Sequence, residues 1–276
     1  MRPRETDGLL GNTRTPNQAS SSNPQRCKLA SHFAADINPE RTELILLFCY
    51  ILTGILDSSA VLIWGSFVSM QTGNTVYLGL GAIGADPSTR WYRAATSIAS
   101  FCAGSWCFSS FYRWGGKGSP RRRWLLCAVF LIQLLCVAVA ATIATVQRLD
   151  ERSSSTKAGL DWQVLLSLAL VAFQSSGQAV SSRVLDRKSL TSVVLTSVYC
   201  DLFSVSPVPV HGQSFTEDLK RLGAIVCLIL GVFIGGLWAK SSIGIIGALW
   251  TVVVGKALIV FAWAFWKEGG LIQLHS

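Results

Sequence analysis

The sequence predicts an all-α fold: a polytopic helical membrane bundle of six long transmembrane helices and two short broken or re-entrant ones, with a suggested internal two-fold repeat. Three observations carry this reading. Half of the 276 residues are hydrophobic and only 14% are charged, against about 25% in an ordinary soluble domain. The charges are nearly absent from stretches of about 20 residues and gather between them, as a hydrocarbon layer roughly 30 Å thick requires. Aromatic residues such as Trp64, Tyr112, Trp124, Trp162, Trp238 and Trp266 mark the ends of those stretches, where amphipathic rings favour the headgroup level.

Residues 1–40 are rich in Ser, Asn, Pro, Thr and Arg and contain no useful apolar run, so they read as a disordered polar and basic tail. They do not read as a signal peptide, because the first apolar run begins near Leu44 and is long enough to span. A membrane domain is expected over 41–268, and a short tail over 269–276. The six spans are Leu44–Trp64, Ala94–Tyr112, Trp124–Val146, Trp162–Ser182, Leu222–Ala239 and Ile243–Trp266. They carry two charges in all, Asp57 in the first and Lys256 in the last.

Two shorter apolar stretches, Phe67–Ala85 and Leu190–Val205, are rich in Thr, Ser and Gly. Either a broken helix, a half-helix or a re-entrant segment fits them. Irregular backbone survives at membrane depth only where protein or a water-filled cavity satisfies its polar groups. Charge placement favours segments that turn back. The loop Arg113–Arg123 holds five bases and no acid, and the loop from Arg183 to Lys188 is also basic. Basic loops stay cytoplasmic. If the short stretches do not cross, the basic tail, both basic loops and the C-terminus all lie on the cytoplasmic side. The net charge of +9 is then a matter of orientation in the lipid bilayer, not of nucleic acid.

The order long, short, long, long occurs twice, over 41–146 and 160–268, with Thr72–Thr75 matching Thr196–Ser197 in the second half. Three crossings per half would make the repeats inverted, a plan shared by many transporters.

The residues that could carry chemistry are polar groups inside apolar spans. A charge near the bilayer centre costs roughly 2.5–3.5 kcal/mol on insertion scales. Asp57 is therefore either a cation, proton or substrate site, or a cap on the segment that follows it. Gln71, Thr72, Asn74 and Thr75, with Gly73 permitting a close backbone approach, either face a small polar solute or bond neighbouring helices. Gln174, Gln178 and Ser181 share a helix face. Lys256 either seeks an acid, with Asp57 and Asp201 as candidates, or snorkels to the surface. Gly231-x-x-x-Gly235 and Gly247-x-x-x-Thr251-x-x-x-Gly255 read as close-packing faces. Cys49, Cys102, Cys107, Cys127, Cys136 and Cys227 read as small buried residues. No metal-ligand spacing, cofactor motif or catalytic grouping is recognisable, so no enzyme is expected.

Gly54-Ile-Leu-Asp57 followed by Gln71-Thr-Gly-Asn-Thr75 resembles the YoaK-like family, known as domain of unknown function 1275. Gly177-Gln178, Leu195 through Asp201, Gly235 through Ser241 and Phe265-Trp266-Lys267 resemble its fungal branch. The resemblance runs from about residue 40 to residue 268 and implies a multi-pass membrane protein. Ser197 stands where the family's second half usually has Gly. The family supplies no substrate. The expected function is a small-solute transporter or permease with a polar site formed by Asp57, Gln71–Thr75, Gln174, Gln178 and Lys256. The alternative is a non-transporting membrane scaffold or assembly factor.

Overall fold

The computed structural model describes residues 32–37, 42–86, 88–116, 119, 121–151, 162–185, 195–203 and 215–266. Among these residues lie six long helices, α1 (Thr42–Ile63), α3 (Arg90–Gly115), α4 (Arg123–Glu151), α5 (Trp162–Val184), α7 (Phe215–Lys240) and α8 (Ile245–Ala264). Two short ones are α2 (Gln71–Ala82) and α6 (Leu195–Phe203). Five of them, α1, α4, α5, α7 and α8, are long and apolar enough to cross a membrane. The expected span Ala94–Tyr112 corresponds to α3, which is 26 residues long but interleaves Ser, Thr and Gly with its apolar residues and is less apolar than the other five. Large apolar side chains stand exposed along the outer faces, including Leu135 and Val139 on α4, Phe233 and Leu237 on α7, and Leu258 and Phe261 on α8. Contiguous apolar surface of this kind belongs against lipid. The chain is an integral membrane protein.

Contacts between helix ends give the path of the chain. At one end, Lys220 at the start of α7 meets Glu43 at the start of α1 at 2.7 Å. At the same end, the α3 and α5 C-termini are joined by Tyr112 and Ser181 (3.0 Å), and Arg123 of α4 donates to the carbonyl of Trp266, just past α8 (2.6 Å). At the opposite end, Arg93 near the start of α3 donates to the carbonyl of Trp64, just past α1 (2.8 Å), and Arg148 near the end of α4 reaches the Ser242 carbonyl before α8. The six long helices therefore alternate in direction. The chain leading into α1, the α3–α4 loop, the C-terminus of α5 and the C-terminus of α8 share one end, hereafter the basic end. That is where the sequence expects the positive loops to gather.

The first short segment turns back. The 12 residues of α2 rise only about 18 Å, well short of a bilayer core. After α1 the chain passes Gly65, at φ 71°, and descends so that Val68 and Ser69 lie beside Asp57, six residues below the top of α1. From there α2 climbs again: Asn74 contacts Ser97 (3.1 Å), and further along Gly81 packs on Trp91 at the start of α3. Segment 64–82 thus enters and leaves at one end of the bundle. Of the second short segment, Leu190–Val205, only α6 is described. Its 9 residues pack on α7.

The packing obeys the repeat. Helix α1 lies along α7, α3 along α5, α4 against α5 and α8, α1 against α8, α2 on α3, and α6 on α7. Exchanging α1–α4 with α5–α8 in order maps this set onto itself. Small residues sit at equivalent places. Gly231 and Gly235 of α7 meet Ile51, Gly54 and Ser58 of α1, while Gly104 of α3 meets Phe173 and Ser176 of α5. Both pairs run parallel, and Ser59 donates to the Gly235 carbonyl across the first (3.1 Å). Close backbone approach and hydroxyl hydrogen bonds replace the hydrophobic drive that lipid removes.

Three corrections to the sequence reading follow. Residues 32–37 of the expected tail are packed: Ile37 is buried, the backbone around Asp36 pairs with that around Arg122 (Ile37 N to Arg121 O, Arg123 N to Ala35 O), and Arg123 is buried and holds the His32 carbonyl. The expected tails at 1–31 and 269–276, and Cys27, lie outside the described residues. Arg123 is therefore a clamp as well as a charge marking a side. Of the span cysteines only Cys49 is buried; Cys102 and Cys107 are exposed on the face expected to meet lipid.

The alternation predicts a labelling pattern. Single cysteines at Gly116 and Ser154, in a chain freed of its native cysteines, should report opposite sides to a membrane-impermeant thiol reagent. A tag on the N-terminus should report the Gly116 side. A tag and Gly116 on opposite sides would mean that segment 64–82 crosses.

Candidate functional site

The polar residues of the spans form two separate clusters, not one. The first locks the re-entrant loop. Asp57 is buried in α1, and its Oδ1 accepts the backbone N–H groups of Val68 (2.8 Å) and Ser69 (2.9 Å). Its Oδ2 accepts the Ser69 hydroxyl. Asn74 is fully buried on α2. Its Oδ1 accepts from Ser66 Oγ (2.9 Å) and Phe67 N (3.0 Å), and its Nδ2 donates to Phe67 O (2.8 Å), Gln71 Oε1 (2.9 Å) and Ser97 Oγ (3.1 Å). Gln71 Nε2 donates to the Val68 carbonyl (3.1 Å) and Ser97 Oγ to the Phe67 carbonyl (2.7 Å). Non-helical backbone at this depth has no water to turn to, and these side chains satisfy it. Gly73 is where the Phe67 ring folds over α2. Thr72 and Thr75 point outward, Thr75 Oγ1 bonding the Gln71 carbonyl (2.8 Å).

The second cluster lies where α1, α4, α5 and α8 meet. Lys256 is fully buried. Its Nζ donates to Gln133 Oε1 (2.7 Å) and Gln178 Oε1 (2.8 Å) and lies 5.3 Å from the centre of the Phe130 ring. Gln178 Nε2 donates in turn to Thr53 Oγ1 (2.7 Å) and the Cys49 carbonyl (3.2 Å). The acids named as partners for Lys256 are engaged elsewhere: Asp57 by the loop, and Asp201 by Arg221 at 3.9 Å. Neutral carbonyl oxygens hold the ammonium where a carboxylate was expected. Gln174, one turn from Gln178, donates to Ser175 Oγ (3.0 Å).

Two amide atoms in this region are buried without a partner, Gln133 Nε2 and Gln174 Oε1. A buried donor or acceptor left unpaired costs about 1–3 kcal/mol. The orientation of Gln133 is forced. Lys256 is a pure donor, so the Gln133 oxygen and not its NH₂ must bond it. Gln133 and Lys256 are 123 residues apart, the same separation as Gly54 and Gly177 at the α1–α7 and α5–α3 contacts. Lys256 and Gln133 are thus equivalents in the two halves that meet each other, which puts them at the axis relating the repeats. The sequence reading missed Gln133 and Thr53. The repeat offset of the sequence reading, Thr72 to Thr196, places Lys256 opposite Ile132, one residue from Gln133.

A groove of about 660 Å³ opens at the basic end between α3 and α5, with Trp106, Tyr112, Arg113 and Arg183 in its lining. Tyr112 in this lining bonds Ser181, which lies one turn of α5 from Gln178. In this conformation Lys256 is closed off from the groove. Among the described residues no three His, Cys, Asp or Glu side chains are grouped to hold a metal ion.

Comparison with known proteins gives one match. The family model described as protein of unknown function (DUF1275) matches residues 45–262, well over half of the chain. No curated protein and no solved structure matches.

Proposed function

We propose a function for this chain from its geometry, since it belongs to the DUF1275 family of proteins of unknown function: it is a small-solute transporter. Its solute site is the Lys256–Gln133–Gln178 cluster. One observation carries this reading. A lysine without a carboxylate partner is buried where two halves of opposite direction meet. An ionisable group at that position is expensive and marks a substrate or ion path in membrane proteins generally. Helical repeats of opposite direction are the framework on which rocking between two access states is built. In this reading both termini face the cytoplasm, and Asp57 and Asn74 brace the scaffold that rocks. The solute crosses without being chemically changed.

The rival reading is a scaffold or assembly factor, which draws support from the complete satisfaction of Asp57 and Asn74. Flux separates the two. Proteoliposomes carrying the purified protein are screened over small anions, cations and neutral metabolites. At least one solute should move, and Lys256→Gln should slow it roughly tenfold or more, the loss expected when a charged hydrogen-bond donor is removed. Equal non-zero rates in both proteins would overturn the Lys256 site, and no flux of any solute would leave the scaffold as the better reading.

A further inference from the structure

Resting on the transporter reading, we propose that the solute held at the central cluster is a small monovalent anion, gripped jointly by the Lys256 ammonium and the Gln133 Nε2 amide.

The donors and acceptors of the cluster do not balance. The ammonium has three N–H groups. Two are spent on the Gln133 and Gln178 carbonyl oxygens. The Gln133 NH₂ is fully buried and has no acceptor, and it shares an amide with the oxygen that touches Nζ. The third ammonium N–H and the Gln133 NH₂ are therefore donors in search of an acceptor within one amide's length of each other. The charge does not balance either. The groups that touch Lys256 are two neutral amides and the face of Phe130. One positive charge calls for one negative charge, so a divalent anion would overcompensate. The cluster's residues are buried, which favours an occupant of a few heavy atoms, such as chloride, nitrate or formate. A cation is repelled by the ammonium.

The route points the same way. The groove at the basic end carries Arg113 and Arg183, both exposed, and the neighbouring loop adds Arg121 and Arg122. A concave basic surface raises the local concentration of anions. Tyr112 in its lining also bonds Ser181, one helical turn from Gln178.

The test reads binding apart from transport. Purified protein in detergent is titrated with sodium nitrate, formate or chloride, replacing sodium gluconate at constant sodium, and its melting temperature is followed. Wild type should show a saturable upward shift with at least one of the small anions. Lys256→Gln should weaken the apparent affinity roughly tenfold to a hundredfold. Gln133→Glu supplies an internal carboxylate for Lys256, so it should fold and lose the shift altogether. The same anions are then offered to proteoliposomes. A saturable shift that depends on Lys256 without flux upholds the anion site and overturns the transporter reading. Flux of a neutral solute or cation that depends on Lys256, with no anion shift in wild type, overturns the anion proposal and leaves the transporter standing. An anion shift that persists undiminished in Gln133→Glu also overturns it.

Discussion

Asp57→Ala is expected to destabilise the protein by about 3–5 kcal/mol, read as lost yield of monodisperse protein and a lowered melting temperature. The substitution removes the acceptor for two backbone N–H groups, those of Val68 and Ser69, and for the Ser69 hydroxyl. Each buried group left unpaired costs about 1–3 kcal/mol, and the loop has no other partner at that depth. A membrane domain with total stability of about 5–15 kcal/mol would lose a large share of it. Asp57→Asn keeps one carbonyl oxygen in place for the two amides and should retain most of the stability. The pair of variants separates two roles. A loop lock tolerates Asn and fails with Ala. A charge needed for solute or proton movement fails with both, in flux if not in folding. Melting curves and flux on the same preparations decide between them.

Gly231→Ala should be as damaging for a different reason. A Cβ at Gly231 would be driven into the Ile51 carbonyl of α1, with the Gly54 backbone 3.0 Å away. Backbone on both sides cannot rotate aside, so α1 and α7 must separate along the tightest contact of the bundle. Overpacking costs typically 1–3 kcal/mol where side chains can shift, and more is expected here. Gly236 is the control. A Cβ there meets nothing within 4 Å, so Gly236→Ala should be neutral or slightly stabilising through helix propensity. If the two alanines melt alike, the parallel α1–α7 contact is wrong, and the matching α3–α5 contact with it.

The long helices were legible because burial in lipid writes itself into composition. Apolar runs bounded by Trp and Tyr gave five spans to within a few residues at most ends. The larger departures were α4, which runs to Glu151 past the expected Val146, and α7, which begins at Phe215, before the expected Leu222, because Glu217, Asp218, Lys220 and Arg221 continue the helix outside the apolar stretch. The re-entrant segment was also legible, from its Thr, Ser and Gly content and from the need to keep the basic loops on one side. What could not be read was which partner each polar side chain chose. A buried charge is costly alone, so the sequence suggests an acid, Asp57 or Asp201, for Lys256. The fold satisfies Asp57 with backbone only eleven and twelve residues away and Lys256 with an amide from the other repeat. Hydropathy records that a residue is polar and not where its neighbours come from. Gln133 escaped notice because a single glutamine in an apolar span carries no charge, and only the repeat gives it a counterpart.

The central claim is that the Lys256 cluster is reached from both sides of the membrane in turn. Thr53→Cys tests it directly. Thr53 Oγ1 accepts from Gln178 Nε2 at 2.7 Å and donates to the Cys49 carbonyl, so a cysteine there sits at the cluster with little change in volume. In proteoliposomes of a chain otherwise free of cysteine, a small membrane-impermeant methanethiosulfonate should modify it when added outside and also when trapped inside, at rates that change when a transported solute is present. A thiol that reacts from neither side until the protein is unfolded would contradict the account and leave a sealed scaffold in its place.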